Sequence, residues 1–161
     1  MIGFLAAVGI GHLAGAFLFY ATHRWIFHGR MSNPWLRRIF ALPGIGYLAT
    51  KGRKIHTAHH KETIVHGKDI HKHMNVFFPL WGKITVVGIV SLFALASIPF
   101  AIGVCSFFPV YAFRHQAAHS GSDAPYARHH LHHHYKNANV NHGGIYPIFD
   151  KIFGTFEPQS D

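Results

Sequence analysis

The chain has 161 residues, 49% of them hydrophobic and only 13% charged, with seventeen histidines and a formal net charge of +9. Its length points to one domain, and its single cysteine, Cys105, excludes an internal disulfide and any cysteine-based zinc or iron–sulfur centre. The charge argues against a nucleic-acid surface: residues 1–23 and 84–113 carry no Lys, Arg, Asp or Glu, and all fifteen basic residues lie between Arg24 and Lys83 or from Arg114 onward, the positive-inside pattern of a membrane protein.

In chain order, the first apolar run, residues 1–23, has about the length of one bilayer-crossing helix. No basic segment precedes it and no cleavage signal follows it, so it reads as a retained membrane helix rather than a signal peptide. The segment WLRRIFALPGIGYLATKGRK, broken by Pro43, Gly44 and Gly46, reads as interfacial or re-entrant. The next apolar run, residues 84–113, has Pro99 near its middle. One straight helix of that length would measure about 45 Å against a hydrocarbon core of about 30 Å, and proline lacks the amide that continues a helix. A hairpin over about 80–97 and 100–119, turning at SIPF, is the expectation. From Ser120 onward the chain is polar and rich in His, Gly and Asn.

These readings give an all-α integral membrane protein with about three membrane-embedded helices, near 1–23, 80–97 and 100–119, and a cytosolic helical histidine-rich cap. The whole of 1–161 forms one domain, with cytosolic histidine-bearing regions at about 24–79 and 115–161. The N-terminus then lies outside, and the histidine clusters converge on one cytosolic face.

Four clusters have ligand-like spacing: His23 and His28; His56, His59 and His60; His115 and His119; and the tract ARHHLHHHYK, with His129, His130, His132, His133 and His134. Residues three and four apart share a helix face, so their imidazoles can reach one metal or two adjacent metals. The spacing of five between His23 and His28 turns about 140° on an α-helix, so those two are expected to flank a site rather than stack on it. In the tract two registers remain open on spacing alone, His129/His132/His133 and His130/His133/His134. Imidazole suits Fe, Zn, Cu and Ni. A site without carboxylate or thiolate stays highly cationic unless oxide, hydroxide or nearby acids balance it. His12 reads as a hydrogen-bonded packing residue, His66, His71 and His73 as solvent-facing or supporting, and His142 as structural. Asp150 could orient a ligand imidazole or cap the segment DKIFGTF.

In their order these clusters resemble the histidine boxes of the membrane fatty acid hydroxylase/sterol desaturase superfamily, and most closely its fatty acid 2-hydroxylase branch. HLHHHYKN is similar to that family's His-Leu-x-His-His-Tyr-Lys-Asn, and NHGGIYPIFDKIFGTF to its Asn-aromatic-Gly segment followed by Trp-Asp-x-x-Phe-Gly-Thr, with Phe149 in the place of the Trp. The resemblance covers about Phe19 to Phe156. It selects His130, His133 and His134, and so implies ten metal ligands: His23, His28, His56, His59, His60, His115, His119, His130, His133 and His134. It implies two Fe ions with O2 as co-substrate, Zn fitting the same nitrogens without being able to supply electrons. The implied reaction is hydroxylation of a fatty acyl chain, at the 2-position of a free or amide-linked fatty acid. Sterol or carotenoid oxidation within the superfamily, and a membrane metal-binding or transport protein, are the alternatives. A lipid substrate from the bilayer and a separate electron donor of ferredoxin, rubredoxin or cytochrome b5 type are the implied partners. The implied location is a bacterial inner membrane or the endoplasmic reticulum, with the site on the cytosolic face.

Overall fold

The computed structural model describes residues 2–29, 33–73 and 80–159. Within them every regular element is helical: α1 (Ile2–Ala21), a π-helical turn (Thr22–Phe27), α2 (Pro34–Ile39), α3 (Pro43–His66), α4 (Ile70–His73), α5 (Leu80–Ala96), α6 (Ile98–His119), α7 (Pro125–Tyr135) and α8 (Ile148–Ile152). Residues 30–32 and 74–79, parts of the histidine-bearing region expected at 24–79, lie outside the described residues.

The centre of the molecule is the packing of α1 on α6. The face α1 presents is made of small residues, Gly11, Gly15 and Ala16, with Tyr20 at its end. A Cβ on Gly11 would run into the Phe100 carbonyl, and one on Gly103 into the Val8 carbonyl. The two backbones therefore touch, as small residues four apart allow in membrane helices. Below this contact Ala16, Phe107, Tyr111 and Ile145 form the buried apolar cluster, with Phe19, Tyr146 and Phe149 packed against it.

The expected hairpin break falls at Ser97. Ser97 is the N-cap of α6, its hydroxyl accepting from the Phe100 amide at 3.4 Å, and Pro99 occupies the first turn of α6, where the missing amide costs no helical hydrogen bond. The segment expected to be interrupted near Pro43, Gly44 and Gly46 does break, at residues 40–42 between α2 and α3, and these three residues form the first turn of the 24-residue α3. Proline there starts a helix rather than ending one.

Among the described residues one helix, Ile2–Phe27, is long and apolar enough to cross a membrane; Ile84–Ala96 is apolar but shorter. At 1.5 Å per residue that second stretch covers about 20 Å, less than the roughly 30 Å hydrocarbon core. Apolar side chains stand exposed along α5, among them Leu80, Ile84, Val87, Leu92 and Leu95.

The close α1–α6 approach gives a direct check. Gly103→Val should lower the thermal stability of the purified chain in mild detergent by about 1–3 kcal/mol through overpacking. Gly88→Val, with open space around it, should leave stability nearly unchanged. Equal effects at both positions would contradict the packing described.

Candidate metal centre

Ten histidines converge in two groups of five: His23, His28, His56, His60 and His133 in one, and His59, His115, His119, His130 and His134 in the other. In each group one ring nitrogen per residue lies within 4.8 Å of all the others. The second group is entirely buried, and in the first only His28 and His60 are half-buried. These are the ten residues singled out by the sequence resemblance.

Helical geometry explains the sorting. On α3 the pair His56/His60 shares one face and enters the first group, while His59 is turned toward the second. On α7 the roles reverse: His130 and His134 enter the second group and His133 the first. Each His-x-x-His-His helix thus supplies an i,i+4 pair to one group and a single imidazole to the other. α6 adds His115 and His119 to the second group. The groups adjoin, the His60 and His134 rings stacking with centroids 4.1 Å apart.

His23 and His28 complete the first group by a route that α-helical spacing does not allow. The chain winds as a π-helix over Thr22–Phe27, and the His28 amide donates to the His23 carbonyl at 3.0 Å. This i→i+5 bond places residues five apart on one face, and the two Nε2 atoms stand 3.2 Å apart. The expectation that the pair only flanks a site is therefore corrected: both rings point into it.

The packing of nitrogens fits a cation. His56 Nε2 lies 3.1 Å from His23 Nε2, 2.9 Å from His28 Nε2 and 2.9 Å from His60 Nε2. In the second group His119 Nε2 lies 3.2 Å from His115 Nε2 and 3.0 Å from His130 Nε2. One ring nitrogen carries at most one proton, so hydrogen bonds cannot account for a nitrogen facing three others. Nitrogens bound to one ion at about 2.1 Å stand about 3.0 Å apart when at right angles. His133 Nε2 and both ring nitrogens of His134 are buried with no hydrogen-bond partner among the described residues.

Tautomers are set from behind. His23 Nδ1 donates to the His142 carbonyl at 2.6 Å, and His133 Nδ1 to the Val140 carbonyl at 2.7 Å. A carbonyl only accepts, so the proton sits on Nδ1 and the Nε2 lone pair faces the group, the usual support for a metal-bound imidazole. Both carbonyls belong to one tail segment, and Asp150 holds it. This fully buried carboxylate accepts from the His142 amide at 2.7 Å, the Gly143 amide at 2.8 Å and the Thr155 hydroxyl at 2.8 Å. Gly143 is required because a Cβ there would meet the Tyr146 carbonyl and the Asp150 carboxylate. Asn141 takes a positive φ of 56°, which Asn tolerates better than most residues.

The remaining histidines of the tract turn away. His129 pairs with Asp150 and His132 with Glu157, both at 3.1 Å. Asp150 therefore does not touch a ligand ring; it anchors the loop whose carbonyl does. Sequence reasoning missed the position of His142, whose ring lies 5.2 Å from that of His28 and 5.3 Å from that of His133 by centroids. His66 pairs with Glu62 at 3.0 Å, and His12 bonds Ser106 and Tyr146.

Compared with protein-family models, with curated proteins and with solved structures, the chain gives no match.

Burial first, then repulsion between neighbouring imidazoles, holds His56, His130, His133 and His134 well below the usual 6.5, and burial brings His60 to about 4. These rings are neutral when folded and take up protons below 6.5 once unfolded. The unfolded chain then binds more protons, so stability falls as the pH drops through 6.5. The loss continues to about 4, where His60 protonates in place. Thermal unfolding of metal-stripped protein should show a midpoint that drops steadily over this window; a flat profile would contradict burial of neutral rings. The register has its own test. His130→Ala should remove metal from the purified protein, whereas His132→Ala should leave the metal content unchanged. Equal losses would mean that the second group is wrongly composed.

Proposed function

We propose that the chain is a membrane-bound, O2-dependent lipid hydroxylase with a dinuclear metal centre, acting on a fatty acyl chain. The observation that carries this reading is the pair of adjoining all-histidine groups, five nitrogens each. The motif order and tail segment that resemble the fatty acid hydroxylase/sterol desaturase superfamily supply the reaction class. Two iron ions, one in each group, would activate O2 so that one oxygen atom replaces a C–H bond by C–OH and the other leaves as water, the two electrons coming from a separate carrier and the two protons from solvent.

The chain's own residues do the rest. His23, His28, His56, His60 and His133 would hold one ion and His59, His115, His119, His130 and His134 the other. The tail carbonyls at 140 and 142 keep two of these rings in the ligating tautomer. Burial of the second group keeps water from the reacting centre. Exposed apolar side chains on α1 and α5 suit hydrocarbon surroundings. We place α1, α5 and α6 in the membrane, α5 and α6 as a shallow hairpin, with the N-terminus outside and the histidine groups at the cytosolic face of a bacterial inner membrane or the endoplasmic reticulum. The acyl chain then arrives from the bilayer, with oxidation at the 2-position as the preferred outcome. Electrons arrive from a separate ferredoxin-, rubredoxin- or cytochrome b5-type carrier.

The decisive experiment expresses the chain in cells given labelled O2 and analyses their lipids. An acyl product carrying the label, absent with His133→Ala, is expected; no oxygenated lipid despite full metal loading would overturn the reading. Electron delivery has a separate test. Arg37, Arg38 and Lys54 are exposed on α2 and α3, whereas Arg53 also donates to the Ile26 carbonyl at 3.0 Å. Arg37→Glu with Lys54→Glu should slow reduction by an acidic carrier several-fold at low salt without loss of metal, because opposite charge speeds encounter. The difference should shrink as salt rises. Unchanged rates across the salt series would rule out docking on this face.

A further inference from the structure

Away from the histidine groups, midway along α1, a cavity of about 450 Å³ is lined by His12, Leu13, Tyr146, Pro147, Ile148 and Lys151. It lies between α1 and the tail that carries α8. Leu13 is 50% exposed and Ile148 44% exposed, so its rim faces the same surroundings as the apolar surface of α1. His12 precedes His23 by eleven residues on the helix, about 16 Å along the axis.

Its polar atoms form a chain with one direction. Ser106 donates its hydroxyl proton to the Gly103 carbonyl at 2.7 Å, and a carbonyl can only accept. The Ser106 oxygen therefore accepts from His12 Nδ1–H at 2.8 Å. Neutral His12 is then left with a lone pair on Nε2, which accepts the Tyr146 hydroxyl proton at 3.1 Å. With its proton committed, the Tyr146 oxygen can only accept from anything further. Lys151 lines the same wall, but its ammonium stands 5.0 Å from the centre of the Phe156 ring, which is not part of the lining.

We infer that this cavity binds the hydroxyl end of a lipid alcohol, an apolar molecule whose terminal O–H donates to Tyr146. A hydroxyl supplies the proton that the Tyr146 oxygen can accept. An ether or an ester offers Tyr146 no proton, and a carboxylate faces the Tyr146 oxygen lone pair to lone pair. The inference is independent of the metal chemistry, since the site shares no residue with either histidine group. It is measurable on metal-stripped protein.

The test uses the full chain in lipid nanodiscs and a photoreactive long-chain primary alcohol. Labelling should be saturable and should map to peptides containing Leu13 or Ile148. The unlabelled alcohol should compete, while its methyl ether and the corresponding fatty acid should compete at least several-fold more weakly. Tyr146→Phe should weaken binding roughly five- to tenfold, the worth of one hydrogen bond, with metal content unchanged as a check on folding. Should that variant fail to fold, Ile148→Trp, which fills the cavity from a partly exposed position, should abolish labelling instead. Equal competition by the ether, non-saturable labelling, or undiminished labelling in Ile148→Trp would overturn the site and leave the Ser106–His12–Tyr146 chain as a tie between α1, α6 and the tail. The metal centre would be untouched by that result.

Discussion

Neutral imidazoles buried edge to edge are the constraint on which the rest of this structure depends. Ring nitrogens 2.9–3.2 Å apart bring lone pairs against one another, an arrangement that hydrogen bonding cannot satisfy and a shared cation can. Neither group contains a carboxylate or thiolate, so positive charge gathered there has no direct neutraliser among its ligands. Asp150 stands behind the loop whose carbonyl supports His23. Fully buried, it carries negative charge behind the tail segment that touches the first group, and it spends that charge on two amides, a hydroxyl and His129.

Each helix is recruited by this demand. α3 and α7 each divide a His-x-x-His-His motif between the groups, so both groups depend on the same two helices. α1 reaches the first group only because its end winds as a π-helix. α6 reaches the second only from where its contact with α1 sets it, and that contact exists because Gly11 and Gly103 carry no side chain. The tail closes the arrangement through two carbonyls and fixes which nitrogen of His23 and His133 is free to ligate. The fold is thus organised less around its small apolar core than around the ten rings.

Much of this is legible in the sequence, and for identifiable reasons. Spacings of three and four translate directly into a shared helix face, so His56, His59 and His60, and His115 and His119, group by spacing alone; in the tract spacing leaves two registers open, and the motif resemblance selects His130, His133 and His134. Ser97 and Pro99 mark the hairpin because capping and proline chemistry are local. The π-turn is not legible, because a spacing of five is read against the common 3.6-residue period. Pro43, Gly44 and Gly46 mark a break to within a few residues, because the residues that interrupt one helix also begin the next. The Gly11–Gly103 contact, the approach of His142 to the first group, and the His12–Ser106–Tyr146 chain join residues far apart in sequence. No local pattern announces them.

The central claim is that each group of five imidazoles holds one metal ion. Anomalous scattering from crystals of the metal-loaded protein, recorded on both sides of the metal's absorption edge, tests it most directly. The account requires two peaks, one among His23, His28, His56, His60 and His133 and the other among His59, His115, His119, His130 and His134. A single peak, or a peak held by His129 or His132, would contradict it.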